Sequence, residues 1–189
     1  EAILARVREA LDNPADTLPR TRRSGAAFQK GEWMPVEGAA APPSRRRPLL
    51  VKIAPDLAEA DLADLAAVAL AGHCDGIIVS NTTIRRPDLL TSRHKAETGG
   101  LSGAPLKPFA LETLRAMYRL TNRRVPLIGV GGIASGADAY ERMRAGAALV
   151  QIYTALVYEG PALVARIKRD LAALLRRDGF ASAAAAVGA

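Results

Sequence analysis

Apolar and polar residues alternate in blocks along most of this chain. Four of the apolar blocks are short runs that each end in polar or glycine residues. The runs occupy residues 48–55 (PLLVKIAP), 76–83 (GIIVSNTT), 125–133 (VPLIGVGGI) and 149–156 (LVQIYTAL). Each is too short and too rich in Val and Ile for a helix. Each therefore predicts a strand of a parallel sheet that is buried on both faces.

Segments with helical periodicity separate these runs, at residues 57–71, 107–121, 137–145 and 161–177, and another opens the chain at residues 2–11. Four β/α units preceded by one helix correspond to half of a (β/α)8 barrel, whereas an open sheet of four buried strands would leave bare edges. The pattern predicts an α/β fold, the C-terminal half of a TIM (β/α)8 barrel with strands five to eight. We accordingly expect the chain to be a fragment of a larger barrel.

The chain divides into three predicted segments. Residues 1–12 are expected to form the helix that follows a missing fourth strand, and residues 48–189 carry the half-barrel. Residues 13–47 between them contain prolines and two arginine clusters without sustained periodicity, which predicts an irregular linker or insertion.

Composition narrows the possible functions. Hydrophobic residues make up 49% of the 189 residues and aromatic residues only 4%, so the core must be aliphatic. The one cysteine, Cys74, excludes an internal disulfide, and the sequence predicts no metal site. The net charge of +7 invites a nucleic-acid partner, but the arginine clusters lie in a Pro/Gly/Ala-rich segment with few aromatics, which favours a solvated loop. An anionic substrate, a cofactor phosphate or an acidic membrane surface fits the charge equally well.

The most distinctive glycine motif is residues 129–134 (GVGGIA), which matches the GxGxxG/A dinucleotide pattern. No acidic residue about 20 positions later could hold a ribose. The motif instead predicts that backbone amides of Gly131 and Gly132, with the following helix N-terminus, approach a phosphate. In barrels the loops after strands seven and eight favour phosphates, so Tyr153–Thr154 would join them. The alternative is that the glycines serve only tight packing.

Polar side chains at the first two strand ends supply the other candidate chemistry. Lys52 interrupts an apolar strand, so it either pairs with an internal carboxylate or meets a ligand's negative charge, which we favour. Alternation along the next strand would direct Asn81 and Thr83 one way and Ser80 and Thr82 the other, unless the strand is already turning there. An Asn side chain suits a planar heterocycle that bears amides, although Asn and Thr also bond local backbone in turns.

A glycine-rich loop at residues 97–105 (ETGGLSGAP) precedes a predicted helix. Gly103 would let the backbone approach a ligand, and Ser102 adds a hydroxyl; a mobile surface loop is the alternative. The two histidines, His73 and His94, have neither a paired acid nor a metal-like spacing, so we assign them no catalytic role.

Five motifs, in one order and spacing, resemble the dihydroorotate dehydrogenase family, and within it the membrane-associated, quinone-using class 2 branch. They are VKIAPDL at 51–57, SNTT at 80–83, ETGGLSGAPL at 97–106, GVGGI at 129–133 and RAGAALVQIYTAL at 144–156. The match runs from about residue 48 to residue 187. Before residue 48 only the helix at residues 2–11 fits.

The resemblance implies an FMN-bearing barrel that oxidises (S)-dihydroorotate to orotate in de novo pyrimidine (UMP) biosynthesis and passes electrons to ubiquinone. Asn81 and Thr82 would hold the substrate against the flavin face. Carried over by motif, the residues expected to hold FMN are Lys52, Ser80, Gly103, Gly132, Tyr153 and Thr154. Lys52 would lie near the flavin N1/C2 carbonyl edge and stabilise charge on the reduced ring.

The resemblance also implies what this chain lacks. In the family a serine on the loop after the fourth strand removes the substrate's C5 proton, and that loop precedes the helix at residues 2–11. We therefore expect no catalytic base here, and Ser24 lies in the wrong loop for that role.

The family's quinone tunnel and its peripheral contact with a bacterial cytoplasmic or mitochondrial inner membrane belong to N-terminal helices that we also expect to be missing. An isolated chain is predicted to be inactive. The alternatives are a phosphate-binding barrel enzyme without flavin and a non-catalytic half-barrel module.

Overall fold

The computed structural model describes residues 2–12 and 47–189. The chain divides into two compact units, residues 1–48 and 49–189. In the first unit, helix α1 spans Ala2–Asp12, which confirms the predicted opening helix. The predicted linker at residues 13–47 lies almost wholly outside the described residues.

The second unit is a parallel sheet whose strands alternate with helices. Its strands are β1 (Leu50–Ile53), β2 (Gly76–Val79), β3 (Leu127–Val130) and β4 (Ala147–Gln151), and they pair in sequence order. Its helices are α2 (Glu59–Leu70), α3 (Lys107–Leu120), α4 (Gly136–Arg144), α5 (Thr154–Glu159) and α6 (Ala162–Arg177). Single 3-10 turns occupy Ala104–Leu106 and Ala184–Ala186. The predicted α/β class is confirmed.

The apolar core lies between one face of the sheet and the helices. Ile53, Val79 and Leu127 pack there with Leu114 and Met117 of α3, as alternation along each strand requires. A second cluster joins β4 to α4 and α6 and contains Ile133, Ala139, Leu163 and Ile167. These contacts orient the sheet so that all four strands end at the same edge.

The opposite face of the sheet is partly open. The register places Lys52 beside Ile78, Ile78 beside Ile128, and Ile128 beside Leu149, so these four side chains share that face. Leu149 is 63% exposed, and Lys52 is exposed as well. The expectation that the strands are buried on both faces is therefore wrong for β1 and β4, because the two apolar clusters are built from the other face.

Two of the apolar runs extend past the strands that they contain. The run at residues 76–83 stops being a strand at Val79, because the amide of Asn81 turns to donate to the carbonyl of Ile53 (2.7 Å). The run at residues 149–156 contains the end of β4 and the start of a helix, since Thr154 begins α5. A short apolar run does not by itself distinguish a strand from a helical turn.

Candidate functional site

A cavity of about 400 Å³ opens at the carboxyl ends of the four strands. Its size falls within the range of small-molecule sites, about 300–1,000 Å³. Every ligand residue predicted from the sequence lines its wall: Lys52, Ser80, Asn81, Thr82, Gly103, Gly132, Tyr153 and Thr154. The structure thus brings the eight residues together, while their division between flavin and substrate stays a prediction.

Lys52 enters the cavity from β1. Its side chain lies on the sheet face that the helices do not cover, so it is exposed rather than buried, contrary to expectation. No carboxylate of the described residues forms an ion pair with it, which removes the internal-partner alternative for this part of the chain. Its ammonium group is available to a negatively charged ligand atom.

The four polar residues after β2 separate into two roles. Ser80 and Thr83 are buried, whereas Asn81 and Thr82 are exposed at the cavity. Ser80 Oγ donates to the carbonyl of Asn81 (2.9 Å), and Thr83 Oγ1 donates to Asp56 Oδ1 (2.5 Å). The alternation of a continuing strand does not apply here because the chain has already left the strand, which is the exception that the sequence left open. Only Asn81 and Thr82 present their side chains to a ligand.

The glycine-rich loop closes one side of the cavity. Thr83 and Leu101 pair as an antiparallel bridge, with N–H···O distances of 3.1 and 2.8 Å. A Cβ at Gly100 would overlap Thr82 Oγ1, so only glycine fits there. Further along, Thr154 Oγ1 donates to Ser102 Oγ (3.2 Å), which joins the loop to the start of α5.

The turn after β3 requires glycine at positions 131 and 132 for two reasons. Gly131 and Gly132 have φ values of +109° and +69°, a region that L side chains rarely adopt. A Cβ at Gly132 would also lie 2.8 Å from Lys107 Cα and 2.9 Å from its backbone nitrogen. Tight packing against Lys107 therefore requires glycine on one side of the turn. The other side of the turn borders the cavity.

The N-terminus of α4 is occupied by the chain's own groups. Ser135 caps it by accepting from the amide of Asp138 (3.1 Å), and Asp138 Oδ2 accepts from the amide of Ala134 (3.0 Å). A carboxylate at this position disfavours a second anion. The expectation that this helix N-terminus assists a phosphate therefore stays a prediction, beside the glycine turn.

An ion-pair network lies behind this turn. Lys107 Nζ lies 2.6 Å from Asp138 Oδ1 and 3.0 Å from Glu141 Oε2. The hydrogen bond to Asp138 is the main reason why the pKa of Lys107 is raised, although burial opposes it. Burial raises the pKa of Asp138, but hydrogen bonds from Lys107, Ala134 and Ser135 outweigh it and the pKa is lowered. Both groups are therefore charged at neutral pH, and they tie α3 to α4.

Sequence reasoning missed several residues around the cavity. Gln151 ends β4 and lines the wall, and its position in an apolar run is the same indication that identified Lys52.

Arg86 donates to the carbonyls of Lys95, Glu97 and Gly99 (2.9, 2.8 and 2.7 Å) and so braces the glycine-rich loop. Arg142 is buried beneath the glycine turn. Nothing in the sequence distinguishes either arginine from a solvated one.

The remaining candidates lie elsewhere. His94 is exposed and contacts Glu97 in the loop, outside the cavity wall. Within residues 2–12 and 47–189, no three His, Cys, Asp or Glu side chains group closely enough to hold a metal ion. None of the helices described for this chain has the length and apolarity that crossing a bilayer requires.

Comparison with known proteins gives a consistent match. A family model described as dihydroorotate dehydrogenase matches residues 8–175. A dihydroorotate dehydrogenase (quinone) from Rhodospirillum rubrum is 63% identical over 150 residues, which are 79% of this chain and 41% of that protein. A mitochondrial dihydroorotate dehydrogenase (quinone) from Arabidopsis thaliana is 53% identical over 165 residues, 87% of this chain and 34% of that protein.

Solved structures agree with these relatives. The crystal structure of DHODH in complex with ferulenol from Eimeria tenella has 47% identity and a TM-score of 0.74, covering 76% of this chain and 38% of that one. The likeness confirms a TIM-barrel-type α/β fold, of which the described residues contribute four β/α units. The chain spans 41% of the length of the Rhodospirillum relative.

Proposed function

Because the chain belongs to the dihydroorotate dehydrogenase family, we propose that its cavity is the FMN and substrate site of a quinone-dependent dihydroorotate dehydrogenase. The observation that carries the proposal is the convergence of all eight ligand residues on one cavity wall. The reaction is the oxidation of (S)-dihydroorotate to orotate in pyrimidine biosynthesis, with ubiquinone as the electron acceptor. The relatives from Rhodospirillum rubrum and Arabidopsis thaliana are both named as quinone enzymes, which supports a quinone acceptor.

The groups around the cavity match the parts of FMN. The turns at Gly103 and Gly132 have positive φ values, so the backbone can approach a phosphate without interference from a side chain. The hydroxyls of Ser102 and Thr154 lie 3.2 Å apart on the same wall. Lys52 supplies a positive charge at the end of β1, suited to the electron-rich edge of the ring. FMN bound here would supply the hydride acceptor for oxidation of the substrate.

Asn81 and Thr82 are assigned to the substrate. Both side chains are exposed at the cavity, and the Asn amide can donate to and accept from the amide groups of a pyrimidine. The overlap that a Cβ at Gly100 would create with Thr82 shows how closely the loop approaches this position. Holding the substrate flat against the ring lowers the barrier through orientation. We assign removal of the C5 proton to no side chain of the described residues.

Lys52→Met in the complete gene product tests the proposal. The wild-type protein should purify with FMN, and dihydroorotate added without oxygen should bleach its flavin absorbance. Lys52→Met should slow the bleaching about 100-fold, because loss of one charge-stabilising group typically costs about 10²–10³ in rate. Lys168→Met, an exposed lysine of α6 outside the cavity, is the matched control and should bleach at the wild-type rate.

Two results would overturn the proposal. A wild-type protein that neither retains nor binds FMN would favour a barrel enzyme that binds phosphate without flavin. A wild-type protein that binds FMN but whose flavin is not reduced by dihydroorotate would keep the proposed cofactor and refute the proposed substrate. Membrane association is a further proposal, which flotation of the gene product with liposomes checks.

A further inference from the structure

Arg142 lies directly beneath the glycine turn of the cavity. It belongs to α4 and is only 1% exposed, which is rare for an arginine. Its Nη2 donates to the carbonyl of Gly131 (2.7 Å) and to the carbonyl of Lys107 (2.9 Å). One nitrogen thus joins the turn after β3 to the first residue of α3.

We infer that Arg142 is a positioning residue whose Nη2 fixes the Gly131–Gly132 turn against Lys107 and thereby shapes the place of the FMN phosphate. The inference rests on the function proposed above. Arg142 does not itself line the cavity; it acts through the backbone of the turn.

The packing explains why this turn needs such a brace. Gly131 and Gly132 both have positive φ values, and glycine is the residue with the greatest conformational freedom. The backbone of Gly132 lies against the backbone of Lys107 so closely that a Cβ has no space. Removing Nη2 would leave two carbonyls without this partner, and the turn could then move to find others.

The rest of the guanidinium indicates which part of Arg142 matters. Its Nε and Nη1 are buried and have no hydrogen-bond partner. A lysine ammonium has three donors, of which two can replace the bonds of Nη2, so it leaves one buried donor unpaired where the guanidinium leaves three. The nearby carboxylates of Asp138 and Glu141 favour a positive charge at this position, which lysine also keeps. We therefore expect Arg142→Lys to preserve the turn and Arg142→Met to release it.

The test compares two ligands that differ only in the phosphate. The apo form of the complete gene product is titrated with FMN and with riboflavin, and binding is followed by flavin fluorescence. Arg142→Met should weaken the binding of FMN about tenfold, because about one hydrogen bond from a charged donor is lost. Riboflavin affinity should stay within about twofold. Arg142→Lys should leave both affinities within about threefold of wild type.

Arg169→Met is the matched control, since Arg169 is an exposed arginine of α6 whose side chain, within the described part of the chain, bonds only its neighbour Asp170. It should change neither affinity. Equal weakening of FMN and riboflavin by Arg142→Met would mean a purely structural role and would overturn the inference. A folded Arg142→Lys protein that no longer prefers FMN to riboflavin would also overturn the inference. This second variant keeps the test decisive if Arg142→Met does not fold. A wild-type protein without any preference for FMN would instead refute the proposed function.

Discussion

At the residue scale, the side chains that face the cavity depend on neighbours that hold them from behind. Thr83 shows this, because it comes directly after the proposed substrate residues and is completely buried. Its hydroxyl donates to Asp56, and the amide of Ile84 donates to the other carboxylate oxygen (3.1 Å). Asp56 therefore fixes the end of the segment that carries Asn81 and Thr82.

We expect Asp56→Ala to lower the free energy of unfolding by about 1–3 kcal/mol, because the buried Thr83 hydroxyl loses the acceptor of its proton. It should also weaken orotate binding, since Asn81 and Thr82 lose their support. Urea unfolding and an orotate titration measure the two effects. Asp64→Ala, at an exposed position of α2, should change neither. Unchanged unfolding and binding in Asp56→Ala would contradict this assignment.

Single residues also show what a sequence can predict. Lys52, Asn81 and Gly132 stand out because their chemistry is unexpected at the end of an apolar run. Arg142 does not stand out in this way, because it lies in a polar helix where the sequence predicts a solvated arginine. Only the fold shows that Arg142 is buried. Burial lowers the pKa of Arg142 to about 10, so it stays protonated at neutral pH.

At the element scale, the ion pair of Lys107 and Asp138 couples α3 to α4 across the glycine turn. The pKa of Asp138 is lowered from 3.8, so its contribution to stability is present above that pH and is lost as the pH falls through the lowered value. The pKa of Lys107 is raised from 10.5, so its contribution is present below that pH and is lost as the pH rises through the raised value.

We therefore expect Asp138→Asn to lower the free energy of unfolding between about pH 4 and pH 10, with an effect that fades as the pH falls further through the lowered pKa of Asp138. The loss should be roughly 1 kcal/mol, since solvent screens the partly exposed Lys107. Urea unfolding at a series of pH values measures it, with Asp64→Asn as the control. A loss that does not shrink as the pH falls from 7 to 2 would show that the charge of Asp138 is not responsible.

Element types followed from the sequence more reliably than element ends. The four parallel strands agree with the runs of Val and Ile because such runs fit the interior of a parallel sheet. The end of β2 and the start of α5 depend on contacts with distant residues, namely Ile53 for Asn81 and Ser102 for Thr154. No local pattern encodes those contacts.

At the scale of the whole molecule, the cavity is a property of the sheet edge rather than of any one motif. Each strand end contributes to its wall, and the glycine-rich loop reaches it from between β2 and α3. The convergence was predictable because parallel strands end at one edge. The exposure of Lys52 was not, since it depends on what covers the second face of the sheet.

The most direct measurement of the central claim is a crystal structure of the complete gene product with FMN and orotate. We expect the phosphate to accept hydrogen bonds, within about 3.2 Å, from the backbone at both Gly132 and Thr154. Lys52 should lie against the ring edge, with orotate between the ring and Asn81. A flavin bound elsewhere, or one whose phosphate contacts neither Gly132 nor Thr154, would contradict it.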